Sequence, residues 1–306
     1  MNVAQMKLTW QSKLVLLLVL PFAAASVVLE GHFFAEILDK IAIWTLGWSL
    51  IFGSIVWRLR AATPAGAFTG AVITASLMFS TASFPYQPWQ TALVPVLAVF
   101  LLAFIATRLG RERKEELGVA EKRQGRTAAQ VAANLGVAAI VAHPMVQIWL
   151  QDSGVFLHHG IATMPLFAPM VAALAEAAAD TVSSEVGQVF GGEPRMITSL
   201  RKVEPGTDGA VSLIGTLAGI AAACLVAFAG TLAIGAGWHM PPSDRWQMFW
   251  VAFVGGVFGL FFDSLLGATL ERRGWLNNDA VNFLSTACAA VFALGLFAMI
   301  FRFGAM

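Results

Sequence analysis

The stretch GAVSLIGTLAGIAAACLVAFAGTLAIGAGWHMPPS, residues 209–243, contains no charged side chain. A helix needs about 20 mostly apolar residues to cross the hydrocarbon core of a bilayer, and this stretch is longer than that. Seven further uncharged stretches run over 14–29, 41–57, 61–107, 127–151, 153–175, 246–262 and 280–301. Together they predict an all-α fold, a polytopic bundle of transmembrane helices.

The overall composition supports a membrane protein. Only 12% of the 306 residues are charged and 58% are hydrophobic, whereas about 25% of a soluble domain is charged. These values exclude a disordered chain, a secreted disulfide scaffold and an ordinary cytosolic enzyme. The net charge of +1 gives no reason to expect nucleic acid as a partner.

We predict about nine membrane-spanning helices. The stretch 61–107 is long enough for two of them, with a turn at residues 83–88. The first apolar run also resembles a signal peptide, since it is short and follows Lys7 and Lys13. The predicted helices lie near 12–29, 40–57, 64–83, 89–107, 127–150, 161–180, 209–238, 246–271 and 278–302. We divide the chain into N-terminal helices, 1–110, and a C-terminal catalytic region, 111–306.

The loops between these helices predict the orientation of the chain. Loops on one side carry 16 Lys and Arg residues, and loops on the other side carry three. Cytoplasmic loops are rich in Lys and Arg, so we expect the N-terminus inside and the C-terminus outside, in a bacterial inner membrane. The loop 108–126 has seven basic residues and is expected to be a solvated, positively charged helix or a site that attracts anions.

Polar residues within apolar stretches are candidates for function, because a bilayer rejects them. Glu176, Asp180 and Ser184 are four residues apart and share one helix face. Two carboxylates this close repel each other unless a cation lies between them. Mg²⁺ is held by one or two carboxylates together with substrate phosphates, and it would remove that repulsion.

A glycine-containing turn follows two basic residues and opens the predicted seventh helix. It reads Arg201-Lys202-Val-Glu-Pro-Gly206-Thr207-Asp208-Gly209-Ala-Val-Ser212. Glycines let backbone N–H groups converge, and a helix N-terminus carries partial positive charge. The turn therefore predicts an anion site, although the sequence is not a Walker A loop.

Two further clusters lie in the last two helices, and a softer one opens the fifth. Asp263 follows a 17-residue apolar run, where an isolated carboxylate costs about 3 kcal/mol. It shares a helix face with Gly267 and Glu271. The other clusters are Asn277-Asn278-Asp279 with Asn282, and Arg126 with Gln130 and Asn134.

Mg²⁺-nucleotide chemistry needs several kinds of group at one membrane surface, and the sequence contains them: carboxylates, a basic pair, a glycine turn and amides. Carboxylates hold the metal, while N–H groups and Lys or Arg neutralise phosphate oxygens. A phosphate acceptor is already ionised and requires no strong general base. The sequence contains no Ser-His-Asp or zinc motif that competes with this interpretation.

Four motifs in order carry a family resemblance. They are Asp180-Thr-Val-Ser-Ser184-Glu185-Val-Gly187, Gly206-Thr207-Asp208-Gly209-Ala-Val-Ser212 with Gly215-Thr216-Leu-Ala-Gly219, Asp263-Ser264-Leu-Leu-Gly267-Ala268, and Trp275-Leu-Asn277-Asn278-Asp279-Ala-Val-Asn282. Residues 120–302 thereby resemble the integral-membrane family of the plant phytyl-phosphate kinase of vitamin E synthesis. Glu271 stands where the family usually has Gln.

The resemblance implies phosphoryl transfer from a nucleoside triphosphate, CTP in the first instance, to an isoprenoid monophosphate in the lipid bilayer. It implies Mg²⁺ as cofactor and indicates no oligomeric state. The metal ligands would be Asp180, Glu185 and Asp263, and Lys202 would hold the triphosphate with the 206–212 turn. The isoprenoid tail would lie between helices, beside small residues such as Gly215 and Gly219, although the spacing of these two glycines by itself most simply predicts a close helix contact. Other binding residues would be Ser184, Gly206, Thr207, Asp208, Gly209, Ser212, Thr216, Ser264, Asn277, Asn278, Asp279, Asn282, Arg126 and Asn134.

Two other functions fit the same residues. Intramembrane carboxylates and broken helices also form transport sites, which would suit a transporter or flippase of a phosphorylated lipid. A cytidylyltransferase that makes a CDP-lipid would also bind CTP at a membrane surface, and it would release pyrophosphate rather than CDP.

Overall fold

The computed structural model describes residues 8–37, 39–120, 124–152 and 167–304. The described residues are mainly helical, with a two-stranded ladder, a 3₁₀ turn at Pro88–Gln90 and a π-helical turn at Gly267–Glu271. The helices are α1 (Thr9–Ile37), α2 (Asp39–Arg58), α3 (Pro64–Ser80), α4 (Leu93–Arg108), α5 (Arg111–Glu116), α6 (Ala128–Ala142), α7 (Pro144–Asp152), α8 (Phe167–Phe190), α9 (Leu213–Gly237), α10 (Pro242–Leu266) and α11 (Asn278–Gly304).

The predicted all-α membrane class is confirmed. Among the described residues, α1, α2, α9, α11 and the continuous segment of α10 with its π turn are each long and apolar enough to cross a membrane. The pair α6 and α7 makes a sixth crossing if it is one bent span. Helices α3 and α4 are apolar but shorter, with 17 and 16 residues.

The helix predicted over 127–150 is wrong in one respect, because it is broken. Helices α6 and α7 meet at His143 and differ in direction by 54°. The backbone of His143 is extended, with ψ at 132°, because the ring of Pro144 disfavours helical geometry in the residue before it. The start of the helix predicted over 161–180 lies outside the described residues.

Helix α8 is at the centre of the bundle. It packs against α4, α6, α9, α10 and α11, and residues 167–179 are all buried. Alanine fills most of this stretch, and small side chains let neighbouring helix backbones approach closely within a membrane. The end of α8 that carries Asp180 is thereby held among several helices.

Hydrogen bonds join the basic loops to one another at one end of the bundle. The Arg108 guanidinium donates to the backbone oxygen of Leu59 at 2.8 Å, which connects the loops after α2 and α4. Arg126 donates to the Thr181 hydroxyl at 3.2 Å, which connects the loop before α6 to α8. We call this end of the bundle the basic end.

The remaining basic segments lie at the same end. Arg272, after the π turn, contacts the sulfur of Met196 at 3.6 Å. The Gln11 amide, in the first turn of α1, donates to the backbone oxygen of Trp275 at 2.8 Å. The segments that we grouped on one side by their charge are therefore neighbours in the folded chain, as far as the structure describes them.

A small antiparallel ladder shapes the loop between α8 and α9. Strand β1 (Arg195–Met196) pairs with β2 (Ala210–Val211), so the predicted seventh helix begins at residue 213 rather than 209. Gly209 has φ at +74°, and a Cβ placed on it would lie 2.2 Å from the backbone nitrogen of Ala268. The backbone of Gly209 therefore contacts the end of α10 directly, with no side chain between them.

Part of the 108–126 loop departs from the prediction of a solvated helix. Lys114, in α5, is 1% exposed. Its Nζ donates to the backbone oxygens of Ala106 and Thr107 at 2.9 Å each, and to Glu185 Oε2 at 2.6 Å. A buried ammonium needs such partners, so this ion pair fixes α5 against α8.

Replacing Lys114 by Met should lower the free energy of unfolding by roughly 3 kcal/mol, because the Glu185 carboxylate, whose side chain is only 12% exposed, would lose its cation. The thermal unfolding midpoint in detergent measures this. The double variant Lys114→Met, Glu185→Gln should recover part of the loss. A single variant as stable as the wild type would contradict the role of the pair.

Replacing Gly209 by Ala should destabilise the protein more than replacing Gly192 by Ala. Both glycines have positive φ, which costs about 1–2 kcal/mol for an alanine. Only Gly209 abuts backbone atoms, whereas a Cβ on Gly192 would meet nothing within 4 Å. The difference in unfolding midpoint between the two variants is the measurement, and equal midpoints would contradict the close contact.

Candidate functional site

A polar cavity of about 220 Å³ lies at the basic end. Four distant parts of the chain form it: the second half of α8, the loop before α9, the end of α10 with its π turn, and the start of α11. Its lining residues are Asp180, Ser183, Ser184, Gly187, Gln188, Pro194, Pro205, Gly206, Thr207, Asp208, Gly209, Ala210, Ser212, Leu260, Asp263, Ser264, Gly267, Glu271 and Asn278.

Two carboxyl groups from different helices meet in this cavity. Asp180 of α8 and Asp263 of α10 are in hydrogen-bond contact, and the Ser285 hydroxyl lies within reach of Asp263. Asp263 Oδ2 is buried and has no partner among the described residues. An oxygen atom in this position is free to bind a cation or a donor group that enters the cavity.

A third carboxylate lies one helical turn deeper in α8. Glu176 is 1% exposed, and its Oε1 also has no partner within the described part of the chain. Gly259 of α10 makes room for it, since a Cβ there would lie 2.5 Å from Glu176 Cγ. Glu176 therefore lies behind Asp180 and Asp263 and is not one of the residues that line the cavity.

Gln188 and Glu271 line the cavity although we did not predict them as site residues. Gln188 continues the four-residue spacing of Asp180 and Ser184 by one more turn of α8, so a longer count would have found it. Glu271 is in the π-helical turn, which changes the position of Glu271 around the helix axis from the one expected for a continuous α-helix. Single π-helical turns often occur at functional sites, but this one has no clear sequence signal.

The glycine turn forms the opposite wall and leads into α9. The Ser212 hydroxyl accepts a hydrogen bond from the Gly215 backbone nitrogen at 3.1 Å, which caps the helix. The remaining N–H groups of the first turn of α9 favour an anion. Desolvation raises the pKa of the Asp208 carboxyl above its usual value, and the nearby Arg272 opposes this shift.

The expected space for a lipid tail beside Gly215 and Gly219 is not there. A Cβ on Gly215 would lie 2.6 Å from the backbone oxygen of Ser183, and one on Gly219 would lie 2.8 Å from that of Ala179. These glycines allow α9 to pack directly on α8. Backbone-to-backbone contact leaves no room for an isoprenoid between the two helices.

Ten of the eighteen predicted site residues line the polar cavity, and eight do not. Those that line it are Asp180, Ser184, Gly206, Thr207, Asp208, Gly209, Ser212, Asp263, Ser264 and Asn278. Those outside the lining are Arg126, Asn134, Glu185, Lys202, Thr216, Asn277, Asp279 and Asn282.

Two predicted catalytic residues are engaged elsewhere. Glu185 is in the buried ion pair with Lys114. Lys202 lies on the surface with its Nζ 2.5 Å from Glu193, and this contact holds the pKa of Glu193 below its usual value. Thr216, in the first turn of α9, lies behind the cap rather than in the cavity lining.

Asn277 joins the first and last helices of the described chain. Its Nδ2 donates to the Leu8 backbone oxygen at 2.8 Å and to the Ser12 hydroxyl at 3.0 Å. Its Oδ1 accepts from the Ala280 nitrogen at 2.9 Å and caps α11. Asp279 also hydrogen-bonds Ser12, so both residues connect α1 to α11.

Arg126 and Asn134 line a second cavity, between the N-terminal helices and α6. Asn134 accepts a hydrogen bond from the Asn282 amide at 3.5 Å. Arg126 reaches Thr181, the residue after Asp180. Arg126 and Asn134 therefore lie beside the polar cavity but are not among its lining residues.

The described residues contain no group of three or more His, Cys, Asp or Glu side chains arranged to hold a metal ion. What the cavity offers is two carboxylates in contact and a buried oxygen without a partner. Such a set fits a cation that takes its remaining ligands from substrate phosphates and water, which is how Mg²⁺ usually binds.

Comparison with known proteins yields one family and several relatives. The family described as integral membrane protein DUF92 matches residues 47–290, so the match starts well before residue 120, where we expected the resemblance to begin. An uncharacterised membrane protein of Synechocystis is 32% identical over 223 residues, covering 68% of this chain and 74% of the relative. One of Methanocaldococcus jannaschii is 30% identical over 199 residues, covering 65% and 73%.

A plant relative matches over a similar length. Protein VTE6, chloroplastic, of Arabidopsis thaliana is 30% identical over 203 residues, which cover 65% of this chain and 56% of the plant protein. No solved structure matches the chain. Since the family match covers well over half of the sequence, the chain belongs to the DUF92 family of integral membrane proteins, as its four motifs predicted.

Proposed function

We propose that the protein is a membrane-embedded kinase. It transfers a phosphoryl group from a nucleoside triphosphate, with CTP as the expected donor, to an isoprenoid monophosphate such as phytyl or geranylgeranyl phosphate. The observation that carries the proposal is the meeting of Asp180 and Asp263 opposite a glycine turn and a helix N-terminus. The similarity to VTE6, which we identify with the plant phytyl-phosphate kinase, supports it.

The triphosphate would bind along the wall formed by residues 206–212. Backbone N–H groups of the turn and of the start of α9 would donate to its phosphate oxygens. Lys202 would join them by leaving Glu193. That surface ion pair is exposed, and exposed pairs contribute little to stability, so exchanging it for a phosphate costs little.

Asp180 and Asp263 would hold Mg²⁺ together with the phosphates. The bound ion would neutralise charge on the phosphate oxygens and orient them. Glu185, whose Oε2 is already bonded to Lys114, keeps its metal role only as a prediction.

The reaction itself requires positioning more than proton transfer. An oxygen of the acceptor monophosphate forms a bond to the γ-phosphorus, and the bond between that phosphorus and the β–γ bridging oxygen breaks. The nucleoside diphosphate leaves with that oxygen, and the lipid becomes a diphosphate. N–H groups and cationic side chains aimed at the γ-phosphate would stabilise the charge that develops.

We further propose nine membrane spans, with the N-terminus and the basic end in the cytoplasm of a bacterium and the C-terminus outside. Loops on the proposed cytoplasmic side carry 16 Lys and Arg residues, whereas loops on the other side carry three, and this difference supports the orientation. The contacts that join the basic loops support it independently. In this arrangement the polar cavity opens toward cytoplasmic nucleotides.

The proposed activity is tested with purified protein, Mg²⁺, γ-labelled CTP and geranylgeranyl phosphate. We expect label in the lipid diphosphate and release of CDP. Pyrophosphate release would identify a cytidylyltransferase instead, and lipid movement across proteoliposomes without product would identify a flippase. No diphosphate from any prenyl phosphate and any nucleotide would overturn the kinase.

Substitutions on one helix provide the matched control for this assay. Asp263→Asn should lower kcat by about 100-fold, because it removes a charge that faces the phosphates. Asp244→Asn, at the other end of α10, should leave kcat unchanged. Equal activities of the two variants would contradict the site.

Reporter fusions test the orientation. An alkaline phosphatase domain fused after Gly118 should be inactive, and one fused after Trp238 should be active, because the enzyme requires export. Green fluorescent protein at the same positions should give the opposite pattern. The reverse result would place the polar cavity outside the cytoplasm and would contradict nucleotide chemistry there.

A further inference from the structure

The second cavity, of about 320 Å³, lies between α2, α3, α4 and α6. Its walls are mostly apolar, with Phe52, Val96 and Phe100 among them, and it is built mainly from the N-terminal region. Small residues such as Ala67 and Ala103 leave the space open. An apolar cavity of this kind, next to a bilayer, is suited to a hydrocarbon chain.

Four arginines line this cavity where it reaches the basic end of the bundle. Arg60, Arg108, Arg111 and Arg126 all line it, and no Asp or Glu is among its described lining residues. Arg111 is also paired with Glu115, whose Oε1 lies 2.9 Å from its Nε. Arg108 is held on the wall, since its guanidinium lies 3.5 Å from the centre of the Phe104 ring. An apolar cavity with guanidinium groups in its lining is complementary to a lipid with a phosphate head.

Arg126 connects the two cavities. It lines the apolar cavity, and its Nη2 is 3.2 Å from the Thr181 hydroxyl. Asp180, in the polar cavity, is the preceding residue, and its carboxylate is attracted to the Arg126 charge. A phosphate bound to Arg126 would therefore lie at the entrance to the place where the triphosphate is proposed to bind.

We propose that the apolar cavity is the acceptor site, which binds an isoprenoid monophosphate with its tail between α2, α3, α4 and α6 and its phosphate on Arg126. This inference rests on the proposed function and specifies where its lipid substrate binds. It assigns the N-terminal helices to lipid binding and the C-terminal region to the nucleotide. Two adjacent cavities allow both substrates to be bound at the same time.

The charge of the head group distinguishes this occupant from an ordinary membrane lipid. A monophosphate ester carries up to two negative charges and exposes three oxygens, whereas a phosphodiester carries one charge and exposes two. Several arginines around one anion favour the former, because each guanidinium can bind two oxygens. A bilayer phospholipid in the cavity is the competing outcome of the test.

Photocrosslinking tests the site without relying on catalysis. The probe is a geranylgeranyl monophosphate analogue with a diazirine at the end of the tail, added to the full-length protein in detergent. Labelled peptides should come from residues 52–67 and 96–104. Excess geranylgeranyl phosphate should remove the label, whereas phosphatidylglycerol should not. Label on α9 or α10, or equal competition by phosphatidylglycerol, would overturn the proposal.

Two tryptophan substitutions on α4 test the site kinetically. Ala103→Trp should raise the KM for geranylgeranyl phosphate by about tenfold or more, because the ring fills the tail cavity. It should change the KM for CTP and for a five-carbon acceptor little. Ile105→Trp, whose side chain is exposed on the same helix, should change none of these values. Equal effects of both variants on the lipid KM would contradict the site.

The two experiments separate failure of this inference from failure of the proposed function. If the wild-type protein forms no diphosphate but the probe labels the cavity and competes as expected, the kinase assignment fails and the lipid-phosphate site stands. If diphosphate forms but the label lies elsewhere and Ala103→Trp leaves the lipid KM unchanged, the kinase stands and this site is wrong.

Discussion

The contact between Asp180 and Asp263 constrains the whole bundle, because two carboxyl groups are brought together inside an apolar protein. Acidic groups are expensive in a membrane and are stable there only when other groups or ions satisfy them. Helix α8 meets this requirement by being central: its alanine-rich stretch lets α10 and α11 approach, and Ser285 of α11 reaches Asp263 and the neighbouring Glu176. The polar cavity is thus a product of close helix packing.

Much of this architecture could be predicted from the sequence. The uncharged stretches indicated the helices, and the clustering of basic residues indicated which loops are neighbours, since both follow from the physics of the bilayer. Asp180 and Asp263 could be identified as site residues because a carboxylate within an apolar run is costly in a bilayer and usually has a function there. The glycine turn could be identified because Gly206 and Gly209 precede a helix start.

Other features could not be predicted because they depend on packing between distant segments. Lys114 is in a highly charged loop, and nothing nearby in the sequence indicates that it is buried with Glu185. The π turn at Gly267–Glu271 depends on how α10 ends against the loop at Gly209. The spacing of Gly215 and Gly219 predicted a close helix contact, which is confirmed, but it could not exclude the space for a lipid tail that we also expected beside them. The apolar cavity is formed mainly by the N-terminal helices, whose sequence carries no motif that would have predicted it.

The bonds of Asn277 to Leu8 and Ser12 bear on biogenesis. Membrane helices are inserted in the order of their synthesis, and α1 therefore enters the bilayer long before its partner residue at the start of α11 exists. Until α11 is synthesised, Glu176 of α8 and Asp263 of α10 lack Ser285, and the Asn277 bonds to Leu8 and Ser12 are missing. The ribosome must therefore synthesise α11 before Asn277 can bond to the segment of α1 and before Ser285 can reach Glu176 and Asp263, so this polar interior is completed only after α11 has entered the bundle.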